Sequence, residues 1–153
     1  TDGKTFVEAG ADWGVKYEAN CVCIPAADFD ADGDLDLLLI NYYSNALLLR
    51  NNTNDAHWLK VKPIGRKSNT DGIGATVRLF ASVGDKAVPI GTRQIQSGAG
   101  YCRSSPLVAH FGLGAKPVAA YRVEVFFPCT NTRVVKKGVK PAQRVVIREI
   151  DSK

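Results

Sequence analysis

Along the chain, apolar and β-branched runs of four to seven residues alternate with clusters of glycine, asparagine and proline, a pattern that predicts strands almost throughout. The predicted strands span 19–24, 35–41, 46–50, 57–63, 76–81, 86–94, 107–111, 122–127, 132–135 and 144–150. Alternation is strictest in Arg122-Val123-Glu124-Val125-Phe126 and in Arg144-Val145-Val146-Ile147-Arg148-Glu149-Ile150. Helical periodicity is nearly absent, and residues 5–10 are expected to hold no more than a short turn. Ten short strands at this spacing point to a sandwich or a barrel. The polar cluster Asn51-Asn52-Thr53-Asn54-Asp55-Ala56 divides an N-terminal third from the remainder.

One segment breaks the alternation for a chemical reason. Asp28, Asp30, Asp32, Asp34 and Asp36 place carboxylates at positions 1, 3, 5, 7 and 9 of a loop, with Gly33 where the backbone reverses. Calcium takes six to eight oxygens at about 2.3–2.6 Å, and alternating ligands on a turn wrap one such ion. Without a cation, two carboxylates about 4 Å apart repel by roughly 4 kcal/mol at an effective dielectric near 20. An EF-hand does not fit, because its bidentate glutamate would fall on Leu39 and a strand follows the loop. The side chains of Asp28, Asp30, Asp32 and Asp36 are the expected ligands, with Asp34 contributing its carbonyl. The cage leaves little room for a substrate, so the expected calcium is structural.

Composition narrows the setting. No apolar run approaches the roughly 18 residues that a membrane-spanning helix needs. Cys21, Cys23, Cys102 and Cys129 suit neither a zinc site nor a redox motif, which favours two disulfides of open connectivity and an oxidising compartment. Asn51-Asn52-Thr53 is a glycosylation acceptor sequence in a secreted eukaryotic protein, with Asn51 as the acceptor. A chain opening Thr1-Asp2-Gly3 with no methionine is expected to be processed, or part of a longer product. The net charge of +5 conceals a segregation. Five of the 15 acidic residues sit in the aspartate loop, leaving 20 basic against 10 acidic residues elsewhere. A basic surface of this kind attracts sulfated or carboxylated glycans and acidic proteins, although solvated strand faces carry lysine as readily.

The aspartate loop and its surroundings resemble a known repeat. Phe6, Gly14-Val15, Ala26-Ala27-Asp28-Phe29-Asp30, Asp32-Gly33-Asp34, Leu35-Asp36-Leu37, Asn41 and Leu47-Leu48-Leu49-Arg50-Asn51 are similar to one FG-GAP/VCBS-type repeat, the calcium-loop blade of integrin-like propellers. The remainder resembles the ASPIC/UnbV domain of the cartilage acidic protein family. The matching stretches are His57-Trp58-Leu59-Lys60-Val61, residues 67–75, Ser97-Gly98-Ala99-Gly100-Tyr101, His110-Phe111-Gly112-Leu113-Gly114 and Val123-Glu124-Val125. The expected organisation is therefore a calcium repeat over 1–51 and an ASPIC/UnbV-like β domain over 52–153. The fold class is all-β: a β-sandwich-like domain with one blade-like repeat packed on it or on another subunit. The resemblance implies an extracellular protein that binds calcium and recognises matrix or cell-surface partners, with no established enzyme chemistry. A single blade has bare sheet edges and an uncovered apolar face, so a homo-oligomer or a firmly docked blade is expected.

The residues left over carry weaker signals. His57 and His110 read as packing or hydrogen-bonding residues, and no nucleophile elbow, glutamate pair or metalloprotease motif is present, so no enzyme is expected. The loop Ser68-Asn69-Thr70-Asp71-Gly72-Ile73-Gly74 is either a sugar- or peptide-binding loop or a long turn shaped by its glycines. On the first reading Asn69, Asp71, Gly72 and the ring of Tyr101 meet the ligand. The expected function is a secreted calcium-binding recognition module, lectin-like, for a glycan or matrix ligand in adhesion or defence. The alternative is a structural matrix or mineral-associated protein that binds acidic polymers through its basic C-terminal face. No nucleic-acid motif appears.

Overall fold

In the computed structural model, residues 5–18, 20–53, 55–83, 86–98, 100–101, 104–115 and 117–150 are described. Eleven strands, and no helix, occur among them. The strict alternation read in the sequence becomes two facing sheets. In β5 (Trp58–Ile64) the buried residues are Leu59, Val61 and Pro63, and in β9 (Tyr121–Phe127) they are Tyr121, Val123, Val125 and Phe127. β6 (Thr76–Val83) adds Val77, Leu79 and Ala81, β8 (Ala109–Gly112) adds Ala109 and Phe111, and β11 (Gln143–Arg148) adds Val145 and Ile147. Every second side chain is thus removed from water, each large apolar one contributing about 1.5–3 kcal/mol.

One sheet runs in the order β10 (Thr132–Val139), β9, β6, β7 (Lys86–Gln94), all antiparallel. The other runs β11, β5, β8, with β11 parallel to β5 and β8 antiparallel to it. Among the described residues no closed barrel forms. β7 is an edge strand, so the N–H that Pro89 lacks leaves no gap in a ladder on its open side. β10 runs to Val139, past the predicted end at 135, because Gly138 adopts a left-handed φ of 68° and a register shift returns Val139 to Tyr121.

The N-terminal third forms a third sheet. β3 (Asp36–Asn41) is its centre and pairs with β1 (Cys21–Cys23), β2 (Ala26–Ala27) and β4 (Leu47–Leu49). It has little interior of its own: Leu39 is buried, while Ile24, Leu48 and Phe29 are exposed. The two-residue β2 is absent from the sequence reading, and the early turn lies at residues 10–14, not 5–10, closed by the Val15 N–H to Gly10 O bond of 2.8 Å.

The expected disulfides are not met at two of the four cysteines. Cys21 and Cys129 are free thiols. Cys21 Sγ lies against the carbonyls of Cys23 and Ile40 in the N-terminal sheet, whereas Cys129 sits in the exposed turn between β9 and β10. Cys102 lies outside the described residues.

Candidate functional site

β2 and β3 pair through Ala26 with Leu37 and Ala27 with Asp36, so residues 28–35 close a hairpin. Ala31 (φ 64°) and Gly33 (φ 108°) take left-handed conformations that curl this loop inward. Its backbone N–H groups then point at its own carboxylates. Asp36, 1% exposed, accepts from Phe29 N at 2.9 Å and from Asn51 N at 2.7 Å. Asp28 Oδ2 accepts from Gly33 N at 3.2 Å, and Asp32 Oδ1 accepts from Asp34 N at 2.9 Å. Asp30 Oδ1 accepts from Asp32 N at 3.3 Å.

Of the five aspartates, Asp28, Asp30 and Asp36 bring one oxygen each within 4.8 Å of one another. Asp32 and Asp34 stand outside that trio. Asp28 Oδ1 and Asp32 Oδ2 are buried without a hydrogen-bond partner. A buried, unanswered carboxylate oxygen is costly, and a cation satisfies it more fully than any single N–H. Hard oxygen donors, convergent and partly orphaned, fit a hard divalent cation.

Two basic side chains already lean on the cage. Arg50 Nε reaches Asp30 Oδ2 at 2.6 Å, and the Lys60 ammonium pairs closely with Asp28 Oδ2. Lys60 comes from β5, outside the loop. Burial holds its pKa below the ordinary lysine value, and the nearby Arg144 lowers it further. The cage is seated on the outer face of the β11-β5-β8 sheet at two further points. His110 Nε2 lies 2.8 Å from Gly33 O, and the Trp58 indole lies against Gly33. Burial, and Lys60 after it, lower the His110 pKa, while the Gly33 carbonyl bond and Asp34 offset part of that. A carbonyl only accepts, so the neutral ring must carry its proton on Nε2.

A Cβ at Gly33 would stand 1.9 Å from two atoms of the Trp58 indole. Gly33→Ala should therefore destabilise the docked loop by about 3 kcal/mol, from overpacking together with left-handed strain. Trp58 emission should shift to the red as its ring is expelled. Unchanged melting and emission would show that the loop is not held against Trp58.

Beside the cage opens a cleft of about 1010 Å³, lined by Asp28, Trp58, Lys60, Arg93, His110 and Arg144 among others. None of the four residues expected to meet a ligand lines it. The Asn69 amide is committed at both ends to Ile73, donating to its carbonyl and accepting from its N–H, each at 2.8 Å. Gly72 is buried, where a Cβ would meet Pro63. Asp71 faces Lys62 at 3.8 Å, and Tyr101 is 78% exposed. Asn51, the expected glycosylation acceptor, lines the cleft, and its Oδ1 accepts from Thr53 Oγ1 at 2.6 Å. Sequence reading missed Lys60 and Arg50. Each is one basic residue in a strand or strand end, and only the packing of the loop reveals its carboxylate.

Residues 65–153 match the family model described as ASPIC and UnbV. The match spans β6 to β11 and excludes the aspartate loop. No curated protein and no solved structure matches the chain.

Proposed function

The chain belongs to the ASPIC and UnbV family, and from that premise we propose that it is a secreted, calcium-binding recognition module whose ligand is carbohydrate. The observation that carries the metal reading is the convergence of Asp28, Asp30 and Asp36, with a buried, unpartnered oxygen in it at Asp28 Oδ1 and another in the same loop at Asp32 Oδ2. Asp28, Asp30 and Asp36 would hold the ion, with Asp32 completing the set. The ion supplies the positive charge that lets these groups stay ionised together. The resemblance of residues 1–51 to an FG-GAP/VCBS-type repeat, and of the whole to the cartilage acidic protein family, supports the same assignment. The N-terminal sheet, with Leu48 and Ile24 exposed, is the face a second copy would cover in a homo-oligomer.

For the ligand we favour the cleft over the loop 68–74. Trp58 offers an aromatic surface there, and Arg93, Gln94 and Gln96 offer donors for hydroxyl groups. This reading assigns the chain no reaction. A glycan screen run with calcium and with a chelator tests it, alongside melting under both conditions. Calcium at a hundredfold excess over its Kd should add about 2.7 kcal/mol of stability. An unchanged melting temperature would remove the calcium assignment, and binding to no glycan would remove the carbohydrate assignment. A second reading is favoured by Lys136 and Lys137, exposed on the edge strand β10: a basic face for acidic polymers. Steep salt dependence of polyanion binding, with indifference to neutral sugars, would select it.

A further inference from the structure

The outer face of the β11-β5-β8 sheet holds three basic residues in one cross-strand row. Arg144 is the register partner of Lys60, and Lys60 that of His110. In-register neighbours share a face with Cβ atoms about 5 Å apart, and all three line the cleft. Lys60 and Arg144 are then like charges side by side, unfavourable unless an anion answers them, while His110 adds a neutral ring bonded to Gly33 O. Asp28 answers Lys60 alone, in a pair whose side chains are 13% and 12% exposed. Arg144 is exposed at the cleft wall.

Resting on the calcium reading above, we propose that this row is an oxyanion site that calcium switches on. The ion takes Asp28, and the released Lys60 ammonium turns with Arg144 toward a carboxylate or sulfate group borne by a ligand in the cleft. Two facts favour the exchange. Asp28 is at once a member of the metal-competent trio and the counter-ion of Lys60. A divalent ion at that carboxylate repels the ammonium about twice as strongly as a monovalent one would. The four-carbon stem of Lys60 allows the swing, and its Nζ already lies 4.8 Å from the Trp58 ring centroid, a surface on which the cation can rest. Arg144 supplies a planar fork suited to a bidentate oxyanion. Without calcium the ammonium stays on Asp28, and the cleft offers an anion one cation fewer. Calcium and the anion must then strengthen each other's binding by the same factor.

The test uses the full chain with Trp13→Phe, which leaves Trp58 as the sole indole. Glucuronate and glucose 6-sulfate are the probes, glucose is the neutral control, and each is titrated with calcium and with chelator. Calcium alone should shift Trp58 emission as Lys60 leaves its pair. One or both anions should then bind about tenfold tighter with calcium than without, a coupling of ordinary size. Which of the two gains identifies the group as carboxylate or sulfate. Lys60→Met should bind calcium more tightly in calorimetry, since the competing cation is gone, yet lose the calcium-dependent gain for the anion. Arg144→Gln should keep its calcium affinity and lose the anion. If the wild type binds no calcium, the metal reading falls and the switch with it. If calcium binds but neither anion responds to it, the switch alone is overturned. Retention of the full gain by Arg144→Gln would also overturn it, because the ion itself would then be holding the ligand.

Discussion

Asp36→Ala should abolish the response to calcium and open the N-terminal sheet while leaving the two-sheet core folded. Asp36 occupies three roles at once. It is the ladder partner of Ala27, the acceptor for Phe29 N and Asn51 N, and one of the three oxygens that converge on the cage. Alanine keeps the first role and removes the other two, leaving two N–H donors without their acceptor. At about 1–3 kcal/mol for each N–H left unsatisfied, the loss is about 2–6 kcal/mol. That is enough to unfold a sheet in which, among the described residues, Leu39 alone is a buried apolar side chain. The core around Leu59, Phe111 and Val125 shares none of these bonds. Hydrogen exchange separates the two levels: amides of β2 to β4 should lose protection while those of β5, β6 and β9 keep theirs. Asp36→Asn should fall between, because an amide oxygen still accepts although the charge is gone. Calcium binding by Asp36→Ala at wild-type affinity would show that the ion does not sit among these carboxylates.

What the sequence disclosed and what it hid divide along a physical line. Period-2 alternation is local, so β5, β9 and β11 could be read from Leu59-Val61, Val123-Val125 and Val145-Ile147 alone. The spacing of the aspartates is equally local, and it marked the loop. Pairing is not local. Nothing in residues 143–148 announces that they lie parallel to β5, some eighty positions earlier in the chain, with Arg144 beside Lys60. The same distance hid the partners of the cage. Lys60 looks like a solvated strand lysine until the loop is laid over its strand. Asn69 looked available for a ligand because its bonds to Ile73 follow from the turn geometry and not from residue type. The cysteines misled for a related reason: an even count and an uneven spacing suggest bonds, but the fold carries Cys21 and Cys129 on different sheets' loops and strands as free thiols.

Glu149 is the clearest case of a residue whose weight is invisible in sequence, where it reads as one polar position in an alternating strand. In the fold it is 3% exposed and stands at the end of β11, its N–H still bonded to Ile64 O at 2.8 Å. Its Oε2 accepts three consecutive N–H groups, from Arg66 at 2.7 Å and from Lys67 and Ser68 at 2.9 Å each. Its Oε1 accepts from Ser68 Oγ at 3.0 Å and, in a close bond, from Thr130 Oγ1. One carboxylate therefore ties the loop after β5 and the turn before β10 to the end of β11. Burial alone would raise its pKa. The hydrogen bonds from Thr130, Ser68 and Arg66 outweigh burial and bring it from the ordinary 4.5 down to about 2. A carboxyl with a depressed folded pKa gives stability that is full above its unfolded value and is lost as pH falls through its folded value. The window is pH 4.5 to about 2. Glu149→Ala should cost about 3–5 kcal/mol at neutral pH, since bonds to a charged acceptor contribute more than neutral ones and several donors lose theirs together. Glu149→Gln should cost less at pH 7, and its denaturation midpoint should fall less steeply than that of the wild type between pH 4.5 and 2. Because every other group is common to both proteins, the difference between the two slopes isolates Glu149. Identical slopes would mean that its charge, as distinct from its shape, does not hold the loop 66–68 in place.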